Sequence, residues 1–332
     1  MTRLTGDAAA LRIGVVGAGG IAHSHLAAWQ RLGSRVRVFS SDGRASEVGG
    51  RYGATAAPDL AALLADSDVI DVCTPTYTHP DIVRAAAAAG RQVICEKPLA
   101  RTHTDAAQMI EYCAAAGVQL WPGQVVRFFG EYATAHAAVR AGRIGTPAVL
   151  RLSRRGSAPG PEWFADETLS GGIMVDQMIH DFDYARWIAG DVATVYARVV
   201  PGPGRTVTAY AVLRHISGAL SHLVGAWAGP DEVFRTSFSL AGSAGLLRHS
   251  SAATSAVTWA GVHDTRAGAV IPGGTARRSP FDDELAEFAR AIAGGPAPRV
   301  TAADSLAALD IALAAVMSAA GGRAIAIEEV QR

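Results

Sequence analysis

The sequence predicts an α/β chain with two domains: a doubly wound parallel sheet over residues 1–122, then an α+β domain on a largely antiparallel open sheet over residues 123–332. Three observations carry the prediction. Short β-branched runs alternate with longer Ala/Leu-rich stretches up to about residue 122. A glycine-rich turn separates the first of those runs from the first helical stretch. Beyond it, β-rich segments with short glycine-rich connections take over, as at Pro201-Gly202-Pro203-Gly204.

In the first domain, Leu11–Val16 is expected as a buried strand and Ile21–Leu32 as a helix. Arg35–Phe39 is a second strand, with Val36 and Val38 on one face. Helices are expected at Arg44–Arg51 and Asp59–Leu64, then a strand at Val69–Cys73. A helix at Ile82–Ala89 stops at Gly90, a strand follows at Gln92–Cys95, a helix at Thr102–Ala116 stops at Gly117, and Val118–Trp121 closes the series. The second domain opens with a helix at Tyr132–Arg140. Its expected strands are Ala148–Ser153, Val192–Val200, Thr206–Arg214, Leu220–Trp227 and Phe234–Leu240. Val207, Ala209, Ala211 and Leu213 share one face of the third of these. One long helix, Gly172–Ile188, interrupts the strands, and two more, Asp282–Ala293 and Ala302–Ala319, end the chain.

Composition narrows the function. The length of 332 residues suits two domains at ~150 residues each. A chain that is 49% hydrophobic and 18% charged is folded rather than disordered. Thirty basic and thirty acidic residues leave no basic surplus for nucleic acid. No apolar run is read as approaching the ~20 residues of a membrane span. The short stretch after Arg3 runs into glycines, as a strand entering a loop does, so no signal peptide is expected. Cys73, Cys95 and Cys113 are sparse and lack metal-ligand spacing, which makes a reduced cytoplasm the simplest setting.

Val15-Val16-Gly17-Ala18-Gly19-Gly20-Ile21-Ala22 fits G-x-G-x-x-A between a strand and a helix, a Rossmann dinucleotide signature. Gly17 allows the tight turn, Gly19 and Gly20 let backbone N–H groups of the turn and of Ile21 approach a pyrophosphate, and Ala22 permits close helix–strand packing. The ribose-binding acid expected some twenty residues on falls at Ser40, which is no acid. Ser40, Ser41 and Arg44 would accept a 2′-phosphate, which favours NADP, while nearby Asp42 keeps NAD open.

Lys97, in Glu96-Lys97-Pro98, follows a strand at the sheet edge where open α/β sheets bind ligands. Its ammonium there can polarise a reacting oxygen, although a lysine after a strand is also an ordinary surface residue. Asp176 and His180 stand four apart on the expected helix, placing a carboxylate beside an imidazole that titrates near neutrality. The same spacing is common in surface pairs. Asp176, His180 and Asp183 carry metal-ligating atoms, but no further His/Cys cluster accompanies them and no metal is expected.

Taken in order, these motifs resemble the Gfo/Idh/MocA family of NAD(P)-dependent oxidoreductases across about residues 10–320. They are Gly17–Ala22 with His25, Thr74-Pro75 with His79, Glu96-Lys97-Pro98-Leu99-Ala100, Gly123-Gln124 leading to Arg127-Phe128, and Ser170-Gly171-Gly172 through His180-Asp181-Phe182-Asp183. The last stretch looks most like the inositol dehydrogenase branch. The resemblance implies reversible oxidation of a secondary alcohol on a cyclic polyol or sugar. In it Lys97 hydrogen-bonds the reacting hydroxyl, His180 exchanges its proton, and Asp176 orients His180. It also implies that Thr74, Pro75 and His79 line the cofactor cleft, with Glu96 on the nicotinamide side, and that the chain forms a homodimer or homotetramer. Gln124, Arg127, Arg154, Trp163 and Gln177 are candidate sugar contacts. The chain departs from the family at Ser40, where NAD-using members carry an acid, and at Gln124, where many carry histidine or asparagine. Two rival readings are an NAD-dependent glycosidase working by transient oxidation and a non-enzymatic dinucleotide sensor.

Overall fold

The computed structural model describes residues 11–253, 257–261, 269–271 and 278–331, with the backbone alone for 257–261 and 269–271. The first half alternates β1 (Arg12–Val16), α1 (Gly20–Leu32), β2 (Arg35–Phe39), α2 (Ala45–Gly50), β3 (Thr55–Ala56), α3 (Leu60–Ala65), β4 (Val69–Val72), α4 (His79–Ala88), β5 (Gln92–Glu96), α5 (His103–Ala115) and β6 (Leu120–Gly123). The six strands pair in the order β3-β2-β1-β4-β5-β6, every pair parallel. A parallel sheet is covered on both faces, so its strands read as continuous apolar runs, and all four residues of β4 are buried. One of the four is Asp71, a carboxylate in the middle of the sheet. The strand order reverses between β1 and β4, which is where open α/β sheets bind ligands.

The second half comprises α6 (Gly130–Arg140), β7 (Pro147–Ser157), α7 (Glu167–Ser170), α8 (Gly172–Asp176), α9 (Ile179–Ala189), β8 (Val192–Pro201), β9 (Val207–His215), β10 (Leu220–Ala228), β11 (Arg235–Gly242), β12 (Gly245–Ser250), β13 (Val257–Gly261) and β14 (Ala269–Ile271). With β15 (Ile325–Ala326), they form a nine-stranded sheet in the order β14-β13-β12-β11-β7-β10-β9-β8-β15. Its pairs are antiparallel except β7 with β10. The expected alternation holds on β9, where Ala209, Ala211 and Leu213 are buried while Thr208, Tyr210 and Arg214 face outward.

Two expectations are corrected. The helix foreseen over Gly172–Ile188 is broken into α8 and α9 by a turn at Gln177-Met178. The Met178 N–H donates to the carbonyl of Ile173, five residues back, at 2.9 Å, a π-type widening of the turn. Gly225 on β10 makes room for it, since a Cβ there would lie 2.6 Å from Met178 Cγ.

The chain also does not divide once near residue 122. The first compact unit runs through Phe128 and also takes in a later segment ending at Leu306. That segment carries α10 (Pro280–Ile292), whose Leu285, Ala286, Phe288 and Ala289 join Leu26, Ala28 and Trp29 of α1 in one core. An apolar stripe at these spacings buries one helix face, and the Arg31 guanidinium on α1 pairs with Asp282 beside it. The second unit resumes at Ala307, inside α11 (Ala302–Gly321). This helix is longer and more apolar than the composition reading allowed, with an 18-residue window of mean hydropathy 1.5. Ala308, Leu309, Ile311, Ala312 and Ala315 are buried along it, as in a core helix.

Candidate functional site

The glycine turn follows β1. Gly17 adopts φ +114°, and its N–H donates to the Phe39 carbonyl at 2.8 Å. A Cβ at this position would sit 2.6 Å from the Cys73 carbonyl oxygen at the end of β4, so only glycine fits. Gly19 caps α1 in an extended conformation with no side chain bonded to the helix N-terminus. A Cβ on Gly19 or Gly20 would meet nothing within 4 Å, so there is open space beside the first turn, where Ile21 is half-buried. The first turn contains no acid, and the positive end of the helix is suited to phosphate. Fully buried Ala22 gives the expected close packing. These features fit a dinucleotide pyrophosphate.

The loop after β2 differs in charge from its sequence reading. Ser40 Oγ donates to Asp42 Oδ1 at 2.5 Å, and Arg44 Nε donates to Asp42 Oδ2 at 2.7 Å. The Ser40 hydroxyl, with help from Arg44, lowers the Asp42 carboxyl to about 2. Arg44 is thus already bound to a carboxylate, Ser40 serves that carboxylate, and Ser41 stands exposed beside them.

Lys97 follows β5, half-buried, and its peptide bond to Pro98 is cis. Its backbone N–H donates to Glu96 Oε2 at 3.0 Å. Glu96 Oε1 lies 2.9 Å from His25 Nε2, and His25 Nδ1 lies 2.9 Å from Asp71 Oδ2. Trp29 Nε1 donates to the same Asp71 oxygen at 2.7 Å. Glu96 is therefore buried with both oxygens engaged inside the first unit. The His79 ring is fully buried, with Nδ1 at 3.0 Å from the Pro98 carbonyl and Nε2 at 3.0 Å from the Thr74 carbonyl, where it braces the loops. Thr74 and Pro75 are half-buried after β4, and Thr74 abuts the glycine turn: its Cγ2 would be 3.2 Å from a Cβ on Gly17.

Gln124 is fully buried, and its Nε2 donates to Ser305 at 3.3 Å. Arg127 is buried with its guanidinium on the Arg299 carbonyl at 2.8 Å and near Asp304 at 3.4 Å. Both belong to the first unit.

In the second unit, Asp176 ends α8, and His180 lies in the first turn of α9, both half-buried. The turn between them replaces the shared helix face on which their pairing was argued. Asp181, next to His180, is bound through both oxygens by Arg154 of β7, at 2.9 and 3.1 Å, with both residues buried. Arg154 therefore anchors α9 through Asp181. Gln177 Nε2 donates to the Arg154 carbonyl at 3.0 Å, tying the helix break to the same strand. Trp163 stacks on Phe164 at 3.8 Å between ring centroids and remains half-buried.

Sequence reading missed Asp71. The available signal was a single carboxylate inside the otherwise apolar run Val69-Ile70-Asp71-Val72. Ligand-capable atoms of His25, Asp71 and Cys73 lie within 4.8 Å of one another. Burial, with the nearby Asp71 charge, pushes the Cys73 thiol up to about 12, and the ring–carboxylate contact has hydrogen-bond length. The trio is a hydrogen-bonded cluster of a neutral thiol, an imidazole and a carboxylate.

Residues 11–124 match the oxidoreductase family with an NAD-binding Rossmann fold, and residues 132–248 match the GFO/IDH/MocA C-terminal domain. Myo-inositol 2-dehydrogenase of Thermotoga maritima is 33% identical, over 96% of this chain and 99% of its own. Scyllo-inositol 2-dehydrogenase (NAD(+)) of Bacillus subtilis is 28% identical over 79% of this chain and 78% of its own. In fold, levoglucosan dehydrogenase in complex with NADH and L-sorbose superposes with a TM-score of 0.86 at 21% identity, covering 96% of this chain and 98% of that one. The glycine turn, the two-unit architecture and these matches place the chain in the Gfo/Idh/MocA oxidoreductase family.

Proposed function

We propose that the protein is an NAD-dependent dehydrogenase acting on a secondary alcohol of a cyclic polyol or sugar, an inositol-like ring or a pyranose. The observation that carries this reading is the first unit's edge. There a glycine turn shaped for a dinucleotide follows β1 and a lysine on a braced loop follows β5, two strands of one parallel sheet with β4 between them. The names of the relatives supply the substrate class.

In this reading the Lys97 ammonium donates to the reacting oxygen and stabilises its negative character as the carbonyl forms. His180 accepts the hydroxyl proton, and Asp176 holds the ring for that transfer. A bound nicotinamide would supply the hydride acceptor for the carbinol hydrogen. Trp163 offers an aromatic face to an apolar ring face of the substrate.

The sequence favoured NADP, and the Asp42 cluster supports NAD instead. An ionised carboxylate that already holds Arg44 and Ser40 would repel a 2′-phosphate and can accept from a ribose hydroxyl. Asp42→Ala should raise the preference for NADP⁺ over NAD⁺ by ~10-fold or more, about 1.4 kcal/mol. An unchanged ratio of kcat/KM values removes the NAD assignment.

The decisive experiment follows nicotinamide absorbance with NAD⁺ and NADP⁺ across inositols and pyranoses. Lys97→Ala and His180→Ala should each lower kcat by ~10²–10⁴-fold while sparing NAD affinity. Wild-type turnover in both sinks the mechanism, and aglycone release without net cofactor reduction would replace it with glycoside cleavage. The outer face of the nine-stranded sheet, with exposed Tyr210 and Val224, supports a homodimer or homotetramer, and light scattering showing only monomer removes it.

A further inference from the structure

We propose that His25, bridging Asp71 and Glu96, is a positioning residue that fixes the backbone carrying Lys97. The inference rests on the reading in which Lys97 acts on the substrate. Asp71 belongs to the middle of β4 and Glu96 ends the adjacent strand β5, while His25 reaches both from α1. Each ring nitrogen lies 2.9 Å from a carboxylate oxygen. Between two ionised carboxylates, which only accept hydrogen bonds, both nitrogens donate and the ring is an imidazolium. With one oxygen locked on that ring, Glu96 turns the other to the Lys97 N–H at 3.0 Å.

The charge state agrees with the geometry. Burial opposes a charged His25, but Asp71 overrides it and holds the ring's pKa well above 6.5. The titratable groups around the ring are Asp71 on β4, Cys73 just after it, Glu96 on β5 and Glu284 on α10, with the Phe281 ring 5.5 Å away. Burial and the Glu96 charge push the Glu284 carboxyl well up, which favours its neutral form beside His25.

His79 grips the other side of the same turn through the Pro98 and Leu99 carbonyls, at 3.0 and 3.2 Å. Burial lowers its pKa and favours a neutral ring, whose single N–H donates on one side only, to these carbonyls or to that of Thr74. A cationic histidine on one side and a neutral one on the other leave the Lys97 backbone little freedom. Reacting groups misplaced by about 1 Å lose on the order of 10²-fold in rate. A positioning role therefore shows in kcat while leaving the glycine turn's affinity for NAD intact.

The test uses the full chain with NAD⁺ and an accepted polyol. His25→Ala and Glu96→Gln should lower kcat by on the order of 10²-fold, with KM and NAD affinity changed little. Nitrogen-15 spectra of wild-type protein should show His25 with both ring N–H groups above pH 6.5. Wild-type kcat in His25→Ala overturns the proposal, as does parallel loss of kcat and NAD affinity. A neutral His25 in the wild-type spectrum overturns it too, even where the variants fail to fold. Lys97→Ala separates the two readings. If it turns over normally, the catalytic assignment of Lys97 fails; if it is inactive while His25→Ala is normal, only the positioning role fails.

Discussion

The two units bury charge in different ways. The first places Asp71, His25 and Glu96 in a parallel sheet covered on both sides, with the cation on a histidine that can lose its proton. The second places Arg154 against Asp181, with the cation on a guanidinium that cannot. Burial opposes the Arg154 charge, but Asp181 outweighs it and holds the group above the ordinary arginine pKa. The two clusters should therefore be equally costly to break and differ in their response to alkali. Asp71→Ala strands the His25 ring and the Trp29 N–H, and Asp181→Ala strands Arg154. Each should cost about 3–5 kcal/mol by denaturant unfolding near neutral pH. The comparison breaks if either variant retains wild-type stability, or if the cost of Asp181→Ala shrinks at alkaline pH as that of Asp71→Ala should.

The pH dependence of the wild type sharpens the contrast. His25 stays protonated in the folded chain above 6.5, where the unfolded chain releases the proton. Its contribution is complete below 6.5 and disappears as pH rises through the raised folded-state value. His79 runs the other way, since burial lowers its pKa. Its contribution is complete above 6.5 and is lost as pH falls through that value towards the lowered one. Stability curves of wild type and His25→Gln should converge on the alkaline side and separate on the acid side. A separation that grows with pH would contradict the cationic assignment of His25.

Most of the fold was legible because each half has one period. The parallel strands are continuous apolar runs, the later strands alternate, and the glycine turn occurs between a strand and a helix. The break inside Gly172–Ile188 was invisible because Ile173-Met174-Val175 and Met178-Ile179 continue a helical pattern. A π-type turn is set by the fit of Met178 against Gly225, two residues far apart in sequence. The allegiance of α10 was hidden for the same reason: an amphipathic helix does not name its partner. At the site, residues whose role lies in backbone shape were readable, as Gly17 shows. The partners of the others were not readable. Arg127, Arg154, Glu96 and His79 look like ligand contacts in sequence, and the structure sets their polar atoms against Arg299, Asp181, His25 and Thr74, all distant in sequence or hidden by the loop.

Glu284 tests how far the first unit's polar cluster is tuned for something other than stability. Its two carboxyl oxygens are buried without a hydrogen-bond partner among the described residues, and it faces the field of Glu96. A buried polar group left unsatisfied costs about 1–3 kcal/mol. Glu284→Met, of similar length and without the carboxyl, should therefore raise stability by about that amount. A loss of stability would mean that the carboxyl is satisfied in solution and belongs to the His25 cluster.

The smallest effect lies on the surface and sets the scale for the rest. Arg51 pairs with Glu47 across one turn at the C-terminal end of α2, with both side chains more than half exposed. Water and salt screen such pairs, and ordering two long side chains offsets the attraction. Arg51→Ala should cost about 0.3–0.5 kcal/mol at low salt and less in high salt. Salt should leave the cost of Asp181→Ala nearly unchanged, because ions cannot enter between Arg154 and Asp181. If salt weakens both costs alike, solvent reaches the buried pair, and its proposed insensitivity to the medium is lost.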